Sequence, residues 1–214
     1  MKKIFPILLL AFLTAAVPAN AQPGKDFFNL GVKAGLNFSN MSQPSDAFRN
    51  GFLRTYTGFN AGIVFNFNLP LGFELNPELQ YVQSGYMLNS SNRFSSGAFR
   101  IPINLQWGFR FFDLIKPYVV FSPYFGGVLF GKQTVLAGES KTITKYNDEL
   151  NRFQYGIGIG AGVYVWRFQL AFKWNWDLNP IFDYGDRMNA LLEALGVSQR
   201  SKFNGGELSL TYFF

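Results

Sequence analysis

Eight stretches of this chain alternate large apolar residues with small or polar ones, and the charges inside them all fall on one side of the alternation. The stretches run roughly Leu30–Phe38, Thr57–Leu69, Phe73–Met87, Ala98–Phe111, Tyr118–Phe130, Phe153–Val165, Phe168–Leu178 and Glu207–Phe214. A period of two is the mark of a β-strand whose two faces meet different surroundings. The fourth stretch is the clearest, with Phe99, Ile101, Ile103, Leu105, Trp107, Phe109 and Phe111 on one parity and Arg100, Asn104, Gln106 and Arg110 on the other. Lys33, Glu74, Glu78, Arg100, Arg110, Lys173, Asp177 and Glu207 are the charged residues inside the stretches, and every one lies on the polar parity.

Parity alone does not say which face is inside, but side-chain size does. The apolar parity is built of Phe, Trp, Leu and Ile, whereas the polar parity carries Gly31, Gly35, Gly58, Gly62, Gly156, Gly158, Gly160 and Gly162. Small and charged residues suit a narrow interior, and large aromatics suit a wall facing lipid. Most of the stretches exceed the ~5–6 residues usual in soluble strands and reach the ~9–11 of a tilted membrane span. Pro70-Leu71-Gly72, Asp113–Pro117 and Trp166-Arg167 make short connections, alternating with longer polar ones, the longest being Asn179–Gly206. The fold class expected is all-β, an eight-stranded antiparallel transmembrane barrel with short periplasmic turns and longer extracellular loops. Pro77, Pro102 and Pro123 oppose this reading, because a closed barrel has no edge to hide a missing N–H; ladder defects, with bulges to absorb them, are expected there.

Charged residues make up only 15% of the 214 positions, and the chain has neither Cys nor His. That excludes a disulfide scaffold, a Cys/His metal site and any mechanism using imidazole as general base. Met1-Lys2-Lys3, the apolar run Ile4 to Val17 and the small-x-small series Ala19-Asn20-Ala21 read as a secretory signal peptide, residues 1–21, with the barrel filling 22–214. The remaining 17 basic and 13 acidic residues leave +4, too mild to argue for nucleic acid.

Gly31-Val32-Lys33-Ala34-Gly35-Leu36-Asn37-Phe38-Ser39-Asn40, Gly58-Phe59-Asn60-Ala61-Gly62, Leu75-Asn76-Pro77-Glu78-Leu79-Gln80-Tyr81, Arg100-Ile101-Pro102-Ile103-Asn104-Leu105 and Leu208-Ser209-Leu210-Thr211-Tyr212-Phe213-Phe214 run from the first strand to the last. This series resembles the PorT-like outer-membrane β-barrel family of Bacteroidetes. The resemblance implies an eight-stranded outer-membrane barrel and a tie to type IX secretion, with the prolines part of the family pattern. Leu208, Leu210, Tyr212 and the terminal Phe214 look like the signal read by the outer-membrane insertion machinery.

Each candidate for chemistry has a plainer reading beside it. Gly156 to Gly162 suggests a nucleotide loop but keeps strand period and lacks G-x-G-x-x-G spacing; the glycines are expected to thin the wall opposite Tyr124 or Tyr164. The four acids and four bases of the polar parity are expected to neutralise one another as a plug, with Glu74 and Arg110 the favoured pair; a narrow solute or ion path, or a ligand-binding barrel, is the alternative. No serine has an evident activating neighbour, so no enzyme activity, cofactor or metal is expected. Asp186–Gly196 reads as a short loop helix whose Met188, Leu191, Leu192 and Leu195 form one apolar face, either packed on the barrel rim or docking another envelope subunit. The external loops carry ten basic against seven acidic residues, a balance that suits lipopolysaccharide head groups or an ordinary solvated surface. Trp166 at the inner rim, with Trp174 and Trp176 toward the outer, reads as interfacial girdle. The function expected is that of an envelope assembly subunit, with a monomeric structural barrel as the remaining alternative.

Overall fold

The computed structural model describes residues 27–42, 54–89, 92–111, 114–137, 140–145, 152–180 and 202–214. The expected signal peptide and the expected helix carrying Met188, Leu191, Leu192 and Leu195 lie outside the described residues. The strands are β1 (Phe28–Ser42), β2 (Arg54–Asn68), β3 (Phe73–Asn89), β4 (Asn92–Gly108), β5 (Ile115–Ala137), β6 (Ser140–Lys145), β7 (Phe153–Val165), β8 (Phe168–Asp177) and β9 (Lys202–Phe213). Neighbours run antiparallel in the order β4-β3-β2-β1-β9-β8-β7-β5, and β4 pairs with β5 to close an eight-stranded ring. Among the described residues the ninth strand, β6, pairs only with the far end of β5, beyond the ring.

The two parities take opposite faces. Leu36, Ile63, Leu105, Phe121, Ile159, Phe172 and Leu210 are exposed on the outer wall, while Asn37, Asn60, Asn76, Asn104 and Ser122 are buried within. Such an inside-out distribution is stable only where the outer wall meets hydrocarbon. Turn chemistry fixes one end. Between β2 and β3, Pro70–Gly72 forms a single 3-10 turn with Leu71 at φ 61° and Gly72 at φ 80°. Between β7 and β8 the two-residue connection places Trp166 at φ 56°. Glycine enters this region freely, whereas Leu and Trp incur a steric cost of about 1–2 kcal/mol.

The prolines leave gaps without changing register. Pro77 stays paired with Ile103 but falls in a gap of the β2–β3 ladder; Pro102 stays paired with Tyr124 but falls in a gap of the β3–β4 ladder; Pro123 stays paired with Ile157 but falls in a gap of the β4–β5 ladder. Each proline thus interrupts one neighbour and keeps the other, and no bulge is needed at any of them. Register does shift elsewhere, in β2–β3 between Thr55 and Asn60 and in β4–β5 between Gly97 and Ala98.

Glycines let aromatic rings lie flat across the inner wall. Tyr124 pairs with Gly156, Tyr118 with Gly162 and Phe213 with Gly31. A Cβ on Gly156 or Gly162 would lie 2.3 Å from the facing tyrosine oxygen, and one on Gly31 would lie 2.9 Å from the Phe213 ring. Tyr118 takes the role expected of Tyr164, which stands on β7 among the glycines themselves.

Two features depart from the sequence expectation. Strands β3 and β4 continue to Asn89 and from Asn92, so the loop expected between them is a tight connection. The connection after the fifth strand contains β6. Together the outer ends of β3, β4, β5 and β6 form a sheet that rises past the ring. The Ser-rich stretch Leu88–Gly97 lacks alternation in sequence, although Phe94, Ser95 and Ser96 within it are buried.

Gly156→Ala is expected to lower stability by about 1–3 kcal/mol through overpacking against Tyr124, seen as a lower temperature for conversion of the compact gel band to the unfolded one. Gly127→Ala, where the nearest atom to an added Cβ is 3.5 Å away, should leave that temperature unchanged.

Candidate functional site in the barrel lumen

Charge parity in the sequence becomes three tiers of ion pairs along the lumen. Nearest the short turns, Lys116 Nζ of β5 lies 2.5 Å from Glu74 Oε1 of β3. The Tyr164 hydroxyl donates to Gln106 Oε1 at 3.1 Å, and Gln169 Nε2 donates to the same oxygen at 3.2 Å. Asn76 Nδ2 donates to the Tyr164 oxygen at 3.4 Å. An apolar cluster of Val64, Tyr118, Val120, Tyr164, Ala171 and Phe213 fills the space among these groups.

The middle tier is a cross-barrel network. Lys33 Nζ of β1 sits 2.7 Å from Glu78 Oε2 of β3 and 2.6 Å from Glu207 Oε1 of β9, with side chains 2%, 6% and 1% exposed. Lys173 Nζ of β8 lies 3.6 Å from Glu207 Oε1 and donates to Asn104 Oδ1 at 3.2 Å. Asn104 Nδ2 in turn donates to Glu78 Oε1 at 2.6 Å, and Asn175 Nδ2 to Glu207 Oε2 at 3.3 Å. Two lysines and two glutamates are thus joined with Asn104 and Asn175 in one network, and buried charges require such partners.

Toward the loops, Arg100 Nη2 reaches Asp177 Oδ1 at 3.3 Å and its Nε donates to Gln154 Oε1 at 3.0 Å. The Tyr124 hydroxyl donates to Asp177 Oδ1 at 2.5 Å, and the Gln154 amide donates to Asp177 Oδ2. The guanidinium also stacks 4.8 Å above the Tyr124 ring. Phe94 and Phe203, ring centroids 6.5 Å apart, close over this tier.

Of the eight charged residues read from the sequence, Lys33, Glu74, Glu78, Arg100, Lys173, Asp177 and Glu207 are buried in the lumen. Arg110 is not; it lies past the end of β4 and is exposed. Glu74 is served instead by Lys116, which falls in the short connection expected over Asp113–Pro117. Strand β5 begins at Ile115 and carries Pro117 outward, so Lys116 points in. Among the described residues the lumen still holds four acids and four bases. Leu208, Leu210 and Tyr212 face the outer wall on β9, and the terminal Phe214 continues their parity.

The voids beside the three tiers are small. Voids of about 10 Å3 lie beside Lys33, Glu78, Gln106 and Lys173, beside Gln154, Asp177 and Phe203, and beside Ser84, Arg100 and Asn175. Each has space for about one water. Among the described residues, no three His, Cys, Asp or Glu side chains converge as a metal site.

Glu207→Gln should destabilise the barrel by about 3–5 kcal/mol, because it leaves Lys33 and Lys173 sharing Glu78 alone. Adding Lys173→Met should recover part of that loss in urea titrations of the folded barrel. Strictly additive losses would mean that the two groups do not interact.

The sequence profile described as outer membrane protein beta-barrel domain matches residues 20–183. Among curated proteins, none matches the chain. Among solved structures, Neisserial surface protein A is 13% identical, with 91% of this chain and 100% of that one covered and a TM-score of 0.47. The attachment invasion locus protein of Yersinia pestis, solved with the heparin analogue sucrose octasulfate, is 12% identical over 88% of this chain and all of that one, with a TM-score of 0.42. OprG from Pseudomonas aeruginosa is 10% identical over 89% and 98%, with a TM-score of 0.46. The closed ring, the apolar outer wall and the profile spanning most of the chain agree, and the protein belongs to the outer membrane protein beta-barrel domain family and resides in the outer membrane.

Proposed function

We propose that this is a non-enzymatic barrel that serves as a subunit or accessory of an envelope assembly, its lumen closed and its work carried out by the loops and the lipid-facing wall. The observation behind this reading is the lumen itself, where four acids and four bases neutralise one another in three hydrogen-bonded tiers. Opening a path would separate buried charges from their partners, each separation worth several kcal/mol. The voids beside the tiers hold about one water apiece, which suits a plug better than a conduit. Acid–base chemistry is disfavoured on similar grounds, since every lumenal carboxylate holds at least one cation and the chain has no imidazole.

The PorT-like resemblance gives this reading a direction, toward protein secretion or outer-membrane biogenesis. It also supplies the partner classes: the insertion machinery that reads Leu208, Leu210, Tyr212 and Phe214, and other envelope subunits met at the loops. The first stretch to substitute in search of a docking element is the one that carries Met188, Leu191, Leu192 and Leu195.

In planar bilayers the purified barrel should give no stepwise conductance; a steady ohmic current would overturn the closed-lumen reading. A mild-detergent pull-down of a loop-tagged copy from native outer membranes should recover stoichiometric envelope proteins by mass spectrometry. Recovery of the barrel alone would instead leave it a monomeric structural element.

A further inference from the structure

One contact in the middle tier joins groups that can react with each other. Lys173 Nζ of β8 donates to Asn104 Oδ1 of β4 at 3.2 Å, across the lumen and 69 residues apart in the chain. A carboxylate holds the other end of the same amide, where Asn104 Nδ2 donates to Glu78 Oε1 of β3 at 2.6 Å. Lys33 fixes that carboxylate through its second oxygen, at 2.7 Å. An amine, a carboxamide and a carboxylate therefore meet away from bulk water, with Lys173, Asn104 and Glu78 3%, 1% and 6% exposed. These are the groups needed to exchange an amine for ammonia: a nucleophile, an acyl carbon and an acid–base group beside the leaving nitrogen.

Amides resist amines in dilute solution, but reactants held in contact gain effective concentrations of about 10⁵–10⁸ M. To attack, Lys173 Nζ has to slide from the carbonyl oxygen onto the carbon ~1.2 Å behind it. The proton that the amine sheds has an acceptor in Glu207 Oε1, 3.6 Å away. Lys33 reaches that same oxygen at 2.6 Å, so two ammonium groups crowd one carboxylate, and turning Lys173 into an amide relieves the crowding. A void of about 10 Å3 bordered by Lys33, Glu78, Asn104 and Lys173 has room for one molecule of the size of water, which is also the size of ammonia.

We propose that Lys173 and Asn104 form an isopeptide bond across the lumen, tying β8 to β4. Lys173 gives one proton to Glu207, and Nζ attacks Asn104 Cγ to make the new C–N bond. Glu78 takes a second proton from Nζ and delivers it to Nδ2; the Cγ–Nδ2 bond breaks and ammonia leaves. Glu207 keeps the first proton, so loss of the lysine charge is matched and the lumen stays neutral. Nothing is oxidised or reduced. The reaction runs once per chain, as maturation and not turnover, and it needs β3, β4 and β8 in place. Its product closes residues 104–173 into a covalent loop, whether or not the barrel joins an assembly.

The test compares the barrel isolated from outer membranes, the same chain refolded from urea into detergent, and the chain kept in urea, each digested with trypsin and read by tandem mass spectrometry. Both folded samples should yield a branched peptide joining Ile101–Arg110 to Phe168–Arg187, lighter by one ammonia than the two together and uncut at Lys173. The chain kept in urea should yield these segments unjoined and cut at Lys173. Intact mass alone does not decide, because Gln22, first in the expected mature chain, also sheds ammonia when it cyclises. On a boiled gel, where folding no longer matters, the linked parent should run ahead of Lys173→Met and Asn104→Ala. Glu78→Gln should slow appearance of the branched peptide about 100-fold or more, the scale of a lost acid–base group. Should that variant fail to fold, the parent's own digest carries the test. Unjoined segments from the folded parent would overturn the proposal, as would deamidation of Asn104 with no branched peptide. Parent-like rates in folded Glu78→Gln would overturn the part given to Glu78.

Discussion

Hydrocarbon offers no hydrogen bonds, and closure of the strand ring is the answer to that constraint. An open eight-stranded sheet would present two rows of unpaired N–H and C=O groups to lipid, each group worth several kcal/mol. Pairing the first strand, β1, with the last, β9, removes both rows at once and makes every strand of the ring an interior strand. Within this economy a proline is a local defect, and the structure limits it by letting Pro77, Pro102 and Pro123 each interrupt one ladder only. Outside the ring the constraint lapses. There, among the described residues, β6 pairs with β5 alone.

Closure at eight strands dictates what the interior can contain. A ring of this size is just filled by its side chains. Aromatic rings enter only where the facing residue lacks a Cβ, as with Tyr124 over Gly156 and Tyr118 over Gly162. Charges enter only in pairs, and amides such as Asn104 and Gln154 do the bridging because they can donate to a carboxylate and accept from a cation at once. Barrel size, glycine placement and ion-pair tiers are therefore consequences of one geometric choice.

Much of this was legible in the sequence because a membrane barrel separates its two faces more strictly than a soluble fold does. The alternation of Phe99 to Phe111 against Arg100 to Gln106 fixed the parity of β4, and glycine on the polar parity told inside from outside. What was not legible has physical causes. Lys116 falls in the connection expected over Asp113–Pro117, yet Pro117 is carried within β5 with its side chain outward, and a proline so placed ends nothing when only one ladder bond is lost. Arg110 keeps the inner parity of β4 but lies beyond its last paired residue, and parity does not report where a strand stops. The outer sheet escaped notice because Ser95, Ser96 and Gly97 have no hydrophobic period to detect; their order comes from partners far along the chain.

The middle tier also bears on how the chain reaches this state. Lys33 belongs to the first strand and Glu207 to the last, and β1 and β9 are neighbours across the seam where the chain's two ends meet. Until the final strand arrives, Lys33 lacks one of its two carboxylates and Lys173 lacks its acidic contact. A partly assembled curl of strands therefore holds an excess of uncompensated positive charge facing its own hollow, and only the C-terminal strand relieves it. The bridge ties the first strand of the ring to the last, and a ring one strand short would keep that excess in its lumen.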